Sequence, residues 1–228
     1  MASVRFVEWC HMNSEDFRGA WDEFYSEEQG LGVQARNLGE HDALFDEIGR
    51  TKPHSVLEVG VGNGGMTLFL GSVGIRAVGV DNNLAILERA RARSRAVPTV
   101  HFEPADAFRL SDSYATGSFD VAFSQGFFEH FDDDQIRKLV VQQLAVARRV
   151  VFSVPSDEYP QQDFGNERLM SPQRWEAILA PVGCAQARYY GVHVLPLRVA
   201  VARKLKGKRT QLRNHVLVSI EPRAAAAE

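Results

Sequence analysis

Apolar and polar residues alternate along this chain in short blocks that predict strands and helices in turn. Short, mainly apolar runs with many β-branched side chains predict strands. They lie at about 55–60, 76–81, 99–103, 119–124 and 148–154. Apolar residues at helical spacing predict the intervening helices. These lie at about 37–50, 64–72, 83–95 and 133–146. Strands alternating with helices indicate an α/β domain with a mainly parallel sheet.

Capping residues and the last apolar runs complete this pattern. Three aspartates at 132–134 fall at the start of the last of these helices, where the helix dipole favours negative charge. Ser171 and Pro172 open a further helix, with serine as its cap and proline in the first helical position. Residues 187–197 and 215–221 are predicted to form an antiparallel pair that finishes the sheet.

The strand at 55–60 runs directly into a glycine-rich turn, and the next strand ends in an acid. The turn has the pattern Gly60-x-Gly62-x-x-Gly65, and Asp81 follows Gly60 by twenty-one residues. Glycine lets the backbone approach a ligand closely, because no Cβ intrudes. A carboxylate on the neighbouring strand can accept hydrogen bonds from both hydroxyls of a ribose. The glycine-rich turn and Asp81 together predict a nucleoside site at the carboxyl ends of parallel strands.

The glycine pattern also fits a dinucleotide fingerprint, but three features favour a different nucleoside. Glu58 lies two residues before the first glycine, where it suits an ammonium group better than a pyrophosphate. Another acid, Asp106, follows the strand at 99–103. Some fifty-five residues precede the first strand, whereas a dinucleotide domain usually begins near it. Three carboxylates and no cation in the glycine loop suit a positively charged ligand without phosphate, such as S-adenosylmethionine.

These motifs resemble those of the class I S-adenosylmethionine-dependent methyltransferases, over roughly residues 20–220. The resembling pieces, in order, are the family's glycine motif, the acidic end of its second strand, its adenine-reading element and its fourth strand. They stand at 56–65, 78–81, 105–107 and 119–124. Each piece is common, but four in the right order make a specific pattern. The resemblance implies a Rossmann-like, doubly wound sheet of seven strands, mostly parallel with one antiparallel edge strand.

The resemblance also implies S-adenosylmethionine as cofactor and roles for individual residues. Gly60 and Gly62 would pack under its amino-acid part, with Glu58 near the ammonium group. Asp81 would hold the ribose, and Asp106 would bond the adenine amino group. The remaining expected cofactor-binding residues are Asn82, Ala107, Gln125 beside the methionine portion, Phe108 or Leu84 against the adenine ring, and Tyr25. Tyr25 lies in an N-terminal segment that folds over the cofactor in resembling enzymes; ordinary surface packing is the alternative.

The acceptor side is less well specified. His130 follows strand four and is the candidate general base, because a neutral imidazole is available near pH 7. Its alternative role is to cap the helix or hold the loop. Candidate acceptor-binding residues are Phe127, Phe128, Tyr159 and Arg168. The two phenylalanines could instead fill the core, and the other two lie in a long polar loop that could be merely solvated.

The residues after strand four disfavour one acceptor class and one kind of metal site. Enzymes that methylate exocyclic amines of bases usually carry Asn/Asp-Pro-Pro-Tyr/Phe there, whereas this chain reads Ser124-Gln125-Gly126-Phe127. Some relatives hold a metal with a Glu-x-x-Glu-His cluster, in which Gly126 replaces the first glutamate here. We therefore expect no metal, and we expect no nucleic-acid partner.

Charge and composition add modest constraints. The formal net charge is −3, yet residues 198–213 carry seven basic residues and no acid. This basic insertion could attract RNA or a phosphorylated acceptor, or be a solvated arm or a homodimer contact. Cys10 and Cys184 are the only cysteines, which favours a reduced, cytoplasmic setting. No apolar run is long enough for a membrane span.

We therefore predict N-terminal cap helices at 1–50, a methyltransferase domain at 51–222 and a disordered tail at 223–228. The predicted reaction moves a methyl group from S-adenosylmethionine to an oxygen or nitrogen of a small-molecule acceptor. The alternatives are methylation of RNA or a phosphorylated acceptor through the basic insertion, and a regulatory protein that binds the cofactor without turnover. An NAD-dependent oxidoreductase is the least favoured.

Overall fold

The architecture is an α/β sandwich around one large sheet. The structure is a computed structural model and describes residues 30–159, 162, 166–194, 198, 201, 204–205 and 211–223. The predicted contact of Tyr25, most of the basic insertion at 198–213 and the tail after residue 223 lie outside the described residues.

Nine strands are present in the described part of the chain. They are β1 (Ser55–Val59), β2 (Arg76–Asp81), β3 (Val100–Pro104), β4 (Phe119–Gln125), β5 (Ala147–Pro155), β6 (Gly183–Tyr190), β7 (His193–Val194), β8 (Gln211–Leu212) and β9 (His215–Pro222). Seven form one sheet in the order β3-β2-β1-β4-β5-β9-β6, and β7 pairs with β8 separately. From β3 to β5 all pairings are parallel. This confirms the mostly parallel, seven-stranded sheet.

Helices cover both faces of this sheet. They are α1 (Leu31–Glu40), α2 (Asp42–Gly49), α3 (Gly65–Ser72), α4 (Leu84–Ser94), α5 (Asp133–Val146) and α6 (Pro172–Leu179). Helices α5 and α6 bury apolar side chains in one core, and α2, α3 and α4 do so in the other. The central strands are buried on both faces, as covered parallel sheets require.

The predicted helix starts are confirmed. Asp132 caps α5 by accepting a hydrogen bond from the Gln135 N–H at 2.8 Å, and the Gln135 side chain returns a bond to the Asp132 N–H. This reciprocal pair satisfies two N–H groups that the first helical turn leaves open. Ser171 caps α6, which has proline in its first turn.

Two predicted elements differ from the structure. The single helix expected at 37–50 is divided at His41, whose backbone leaves helical geometry (φ −109°, ψ 24°) and whose ring is buried against the sheet. The predicted antiparallel pair forms between β6 and β9, but β6 begins and ends earlier than predicted. The residues of β7 pair with β8 in the small sheet instead. The strand of opposite direction is β9, which lies between β5 and the edge strand β6.

Candidate functional site

A cavity of about 260 Å³ opens at the carboxyl ends of β1, β2 and β4 and in the segment after β3. Nine residues that the sequence singled out line it: Gly60, Gly62, Asp81, Asn82, Asp106, Ala107, Phe108, Gln125 and Phe127. Parallel strands end at the same edge of a sheet, so residues up to 67 positions apart in sequence meet in one place. A single cavity therefore joins the glycine turn, two of the three predicted acids and the end of the fourth strand.

The glycine turn forms the cavity wall at β1. Gly60 has φ +76°, and a Cβ on it would lie 2.6 Å from Cδ2 of Phe127. Both facts exclude a larger residue, since a left-handed φ strains L side chains and that distance is well inside van der Waals contact. The turn thus brings bare backbone to the cavity, directly against an aromatic ring.

Asp81 stands at the end of β2 with its carboxyl group tied to the backbone. The Asn83 N–H donates to its Oδ1 at 2.9 Å. Burial raises the pKa of Asp81, and hydrogen bonds from backbone N–H groups, including those of Val61 and Gly62 in the glycine turn, oppose that rise. The carboxyl group therefore links the turn after β1 to the turn after β2.

Asp106 lies in the segment after β3, on the far side of the same cavity. Its Oδ1 accepts a hydrogen bond from the Phe108 N–H at 2.9 Å, which makes a compact turn. Phe108 also lines the cavity, and its ring lies 5.7 Å from that of Phe131. An acid beside aromatic rings can bond the edge of a planar base while the rings pack on its face.

Glu58 lies behind the cavity wall and is not among the lining residues. It is 4% exposed, and its carboxyl group bonds to both the backbone N–H (3.0 Å) and the hydroxyl of Thr67 in α3. Burial, together with the smaller effect of nearby Asp81, raises the pKa of Glu58 to about 8. The group is thus mainly uncharged at pH 7, whereas the sequence had predicted a carboxylate facing an ammonium group.

The segment after β4 separates into cavity and core residues. Gln125, Gly126, Phe127 and Phe131 line the cavity. Phe128 does not: it is fully buried, with its ring 4.3 Å from that of Phe152. Phe128 therefore packs in the core, which was the alternative to a role in acceptor binding.

His130 also lies away from the cavity lining. Its side chain is 5% exposed, and its Nδ1 lies 2.9 Å from Oδ1 of Asn166. Burial is the main cause that lowers the pKa of His130. The ring therefore connects the turn after β4 to the segment that precedes α6.

The two polar candidates for the acceptor site, Arg168 and Tyr159, contact neighbouring residues of the protein and not the cavity. Arg168 donates to the Phe131 carbonyl at 2.7 Å and to Asp133 at 2.6 Å, so its guanidinium group fastens the start of α5. The Tyr159 ring lies 6.0 Å from that of His215. Neither lines the cavity.

Sequence reasoning missed two lining residues that follow Asp81. Asn83 caps α4 by accepting hydrogen bonds from the N–H groups of Ala85 (3.0 Å) and Ile86 (3.4 Å). Asn83 and Ile86 both face the cavity. The available signal was the capping pattern: Asn83, two residues after the acidic strand end, starts the helix and so places its first turn beside the cavity. In the described residues, no group of three or more acids, histidines or cysteines is arranged to hold a metal.

Comparisons with known proteins agree with this geometry. Residues 56–149 match the family model of a methyltransferase domain. No curated protein matches the chain in sequence. Many solved structures share the fold at identities that establish the fold alone. A SAM-dependent methyltransferase from Archaeoglobus fulgidus is 16% identical and covers 90% of this chain and 100% of its own, with a TM-score of 0.61.

Two further solved structures contain S-adenosylhomocysteine. Magnesium protoporphyrin IX methyltransferase (ChlM) from Synechocystis PCC 6803 is 15% identical, covers 92% of this chain and 95% of its own, and has a TM-score of 0.60. DhpI is 17% identical, with the same coverage and a TM-score of 0.60.

The fold, the edge cavity and the methyltransferase domain matched over residues 56–149 support S-adenosylmethionine-dependent methyl transfer by an enzyme that uses S-adenosylmethionine as its cofactor. None of the described helices has both the length and the apolar character that a membrane span needs.

Proposed function

We propose that this enzyme methylates an oxygen or nitrogen atom of a small-molecule acceptor. The observation that carries the proposal is the single cavity that joins the glycine turn, Asp81 and Asp106 to an aromatic wall after β4. The cofactor supplies the methyl group on a sulfonium, which is already a good leaving group. The protein's own task is therefore to bind, align and exclude water, and alignment alone can contribute several kcal/mol.

The residues of the cavity fit this cofactor. The bare backbone of Gly60 and Gly62 suits close approach of the amino-acid part, and Gln125 lies beside that end. Asp81, with Asn82 next to it, suits the ribose hydroxyls. Asp106 and Ala107 suit the edge of the adenine, which Phe108 can cover. All these residues line the cavity, and we propose them as its cofactor-binding set.

The lining of the cavity after β4 bears on acceptor chemistry. Gly126, Phe127 and Phe131 present backbone and aromatic surface to the cavity, which suits an organic acceptor better than a phosphate backbone. The sequence after β4 lacks the Asn/Asp-Pro-Pro-Tyr/Phe element of base-amine methylation. We propose His130 as a positioning residue, because its buried ring fastens Asn166 to the turn that carries Phe127 and Phe131.

Calorimetric titration with S-adenosylhomocysteine tests the cofactor residues. Replacing Asp81 or Asp106 with Ala should weaken binding about tenfold or more, since a hydrogen bond to a charged group contributes roughly 1.5–3 kcal/mol. Glu88→Ala is the matched control, because Glu88 is exposed on α4 and does not line the cavity. Equal affinities in all four proteins would contradict the assigned set.

Labelled methyl transfer tests the acceptor class. The protein and S-adenosylmethionine with a labelled methyl group are incubated separately with a metabolite extract, mixed RNA and a protein extract. We expect label in a low-mass product that disappears with Asp81→Ala. Label in RNA or protein alone would overturn the small-molecule proposal and favour the alternative acceptors.

A further inference from the structure

A second polar cluster lies at the same edge of the sheet, outside the cofactor cavity. Four side chains from distant parts of the sequence form it: His41, Ser153, Tyr190 and His215. The Tyr190 hydroxyl lies 2.7 Å from Nδ1 of His41 and is also hydrogen-bonded to the Ser153 hydroxyl. The His215 ring stacks on Tyr190 with a centroid distance of 5.1 Å. We call these four residues the edge cluster.

Strand register places the edge cluster beside the cofactor cavity. Ser153 pairs with Gln125, which lines the cavity, and His215 pairs with both Pro155 and Tyr190. Strand β9 lies two strands from β4, which is a lateral distance of about 10 Å at the usual strand spacing. The ends of β1 and β2 and the segment after β3, which also line the cavity, lie on the opposite side of β4. An acceptor that approaches from the β5 and β9 side therefore meets the edge cluster.

Hydrogen-bonding capacity is unused in this cluster. Nδ1 of His215 and Oδ1 of the adjacent Asn214 are buried and have no hydrogen-bond partner in the part of the chain that the structure describes. Buried polar atoms usually have partners, so an orphan pair points to a ligand or to water. Burial lowers the pKa of His41 to about 3 and that of His215 to about 4. Both rings are thus neutral at pH 7 and can accept a proton or a hydrogen bond.

A rigid frame surrounds the ring of His215. The loop after β5 and the turn before β9 are joined, since the Ser156 N–H donates to the Asn214 carbonyl at 2.8 Å and Glu158 forms an ion pair with Arg213. The same loop brings the ring of Tyr159 to 6.0 Å from His215. Aromatic rings from the loop and from β6 therefore border this histidine.

The charges of two described arginines on or just before the strands that carry the edge cluster do not favour an anionic acceptor. Each is paired with an acid: Arg213 with Glu158, and Arg188 with Glu47 at 3.5 Å. Ring surfaces with neutral hydrogen-bonding atoms suit an uncharged aromatic molecule that carries a hydroxyl group.

We propose that the edge cluster is the acceptor site and binds an aromatic hydroxyl compound, with His215 as the residue that receives its proton. Tyr190, Ser153 and His41 are then positioning residues for that imidazole. This inference rests on the proposed function. In the step, a bond forms between the acceptor oxygen and the methyl carbon, and the methyl–sulfur bond breaks with its electron pair left on sulfur. The hydroxyl proton moves to a nitrogen of His215.

Proton transfer to a weak base is sufficient here. As the new carbon–oxygen bond forms, the attacking hydroxyl becomes a strong acid, so its proton no longer requires a base of high pKa. A neutral imidazole that is held at hydrogen-bond distance can then receive this proton by general-base catalysis.

Nuclear magnetic resonance of the full-length protein with isotope-labelled histidine tests the site without requiring turnover. Phenol is titrated into the protein saturated with S-adenosylhomocysteine, and the His215 signal is identified by its loss in His215→Phe. We expect phenol to shift the His215 signal and benzoate to leave it unchanged. Tyr190→Phe retains the ring but removes the hydroxyl that is bonded to His41 and Ser153. It should weaken phenol binding about threefold or more, because the cluster that positions His215 is then less firmly held.

Controls separate this inference from the proposed function. His101→Asn changes an exposed histidine on β3 and should leave the phenol response as in the wild type. Calorimetry on the same samples reports binding of S-adenosylhomocysteine. Absence of that binding would overturn the proposed function. Intact binding with no phenol response at His215, or a response to benzoate alone, would overturn only the edge-cluster site.

Discussion

At the scale of single residues, close packing around the glycine turn decides the shape of the cofactor cavity. Gly60 combines a left-handed backbone with a ring of Phe127 in the place where its Cβ would stand. Gly74 shares the first property but not the second: its φ is +92°, and nothing lies within 4 Å of its Cβ position. The two glycines therefore separate the cost of backbone strain from the cost of a steric clash.

Gly74→Ala should lower the free energy of unfolding by about 1–2 kcal/mol, the cost of a left-handed L residue. Gly60→Ala should lower it by roughly 2–5 kcal/mol, because overpacking adds about 1–3 kcal/mol to the same strain. It should also weaken binding of S-adenosylhomocysteine, since Phe127, which lines the cavity, must move. Urea denaturation and calorimetry measure both effects. Equal losses of stability, with equal cofactor affinity, would contradict the steric argument.

The sequence predicts these residues unequally. Short-range pattern and strand alternation specify Gly60, Gly62 and Asp81, and all three line the cavity. Glu58 occupies the predicted strand, but its partner Thr67 is supplied by the next helix, and the sequence pattern does not say which neighbour a buried carboxyl group will choose. The same holds for Phe128, whose position in the core depends on Phe152 and therefore on tertiary packing.

At the scale of elements, the start of α5 joins three parts of the acceptor side. Asp133 in its first turn accepts hydrogen bonds from Arg168 and from Arg174, both at 2.6 Å. Arg168 also holds the carbonyl of Phe131, a cavity residue. One carboxylate thus fastens the segment before α6, α6 itself and the turn after β4. Neighbouring Asp134 pairs only within its own helix, with Arg137, and its side chain is 79% exposed.

Asp133→Ala should destabilise the protein by about 1–2 kcal/mol, because it leaves two arginines without their shared acceptor. Asp134→Ala is the control and should cost no more than about 0.5 kcal/mol, as is usual for an exposed ion pair within a helix. Both are measured by urea denaturation at pH 7. If the two variants lose the same stability, the start of α5 is not the junction that its contacts indicate.

Local signals account for the elements that were predicted well. Capping residues, and acidic residues that the helix dipole favours, lie within one turn of the helix starts that they mark. The starts of α5 and α6 can therefore be predicted from the sequence. The break between α1 and α2 is not, because His41 leaves the helix to meet Tyr190, 149 residues away. The bounds of β6 likewise depend on its register with β9, which no local pattern fixes.

At the scale of the whole molecule, buried titratable groups on the sheet oppose one another. The folded pKa of Glu58 is about 8, above its unfolded value of 4.5, so its contribution to stability is complete below pH 4.5 and is lost as the pH rises to about 8. The folded pKa values of His41 and His215, about 3 and about 4, lie below the unfolded value of 6.5. Their contribution is complete above pH 6.5 and is lost as the pH falls through the folded values.

The sum of these contributions predicts a maximum of stability near pH 6.5. Between pH 4.5 and 6.5, the free energy of unfolding rises with pH because of His41 and His215, and Glu58 opposes this rise. Above pH 6.5, the contribution of the two histidines is constant, and the free energy of unfolding falls because of Glu58. Urea denaturation of the ligand-free protein across pH 4.5–8 measures the profile. Glu58→Gln should flatten it above pH 6.5, and His41→Asn should reduce its slope below that value. His101→Asn, at an exposed position, should run parallel to the wild type. A Glu58→Gln profile that still falls as steeply as the wild type above pH 6.5 would show that another group, and not this buried carboxyl, sets the alkaline side of the maximum.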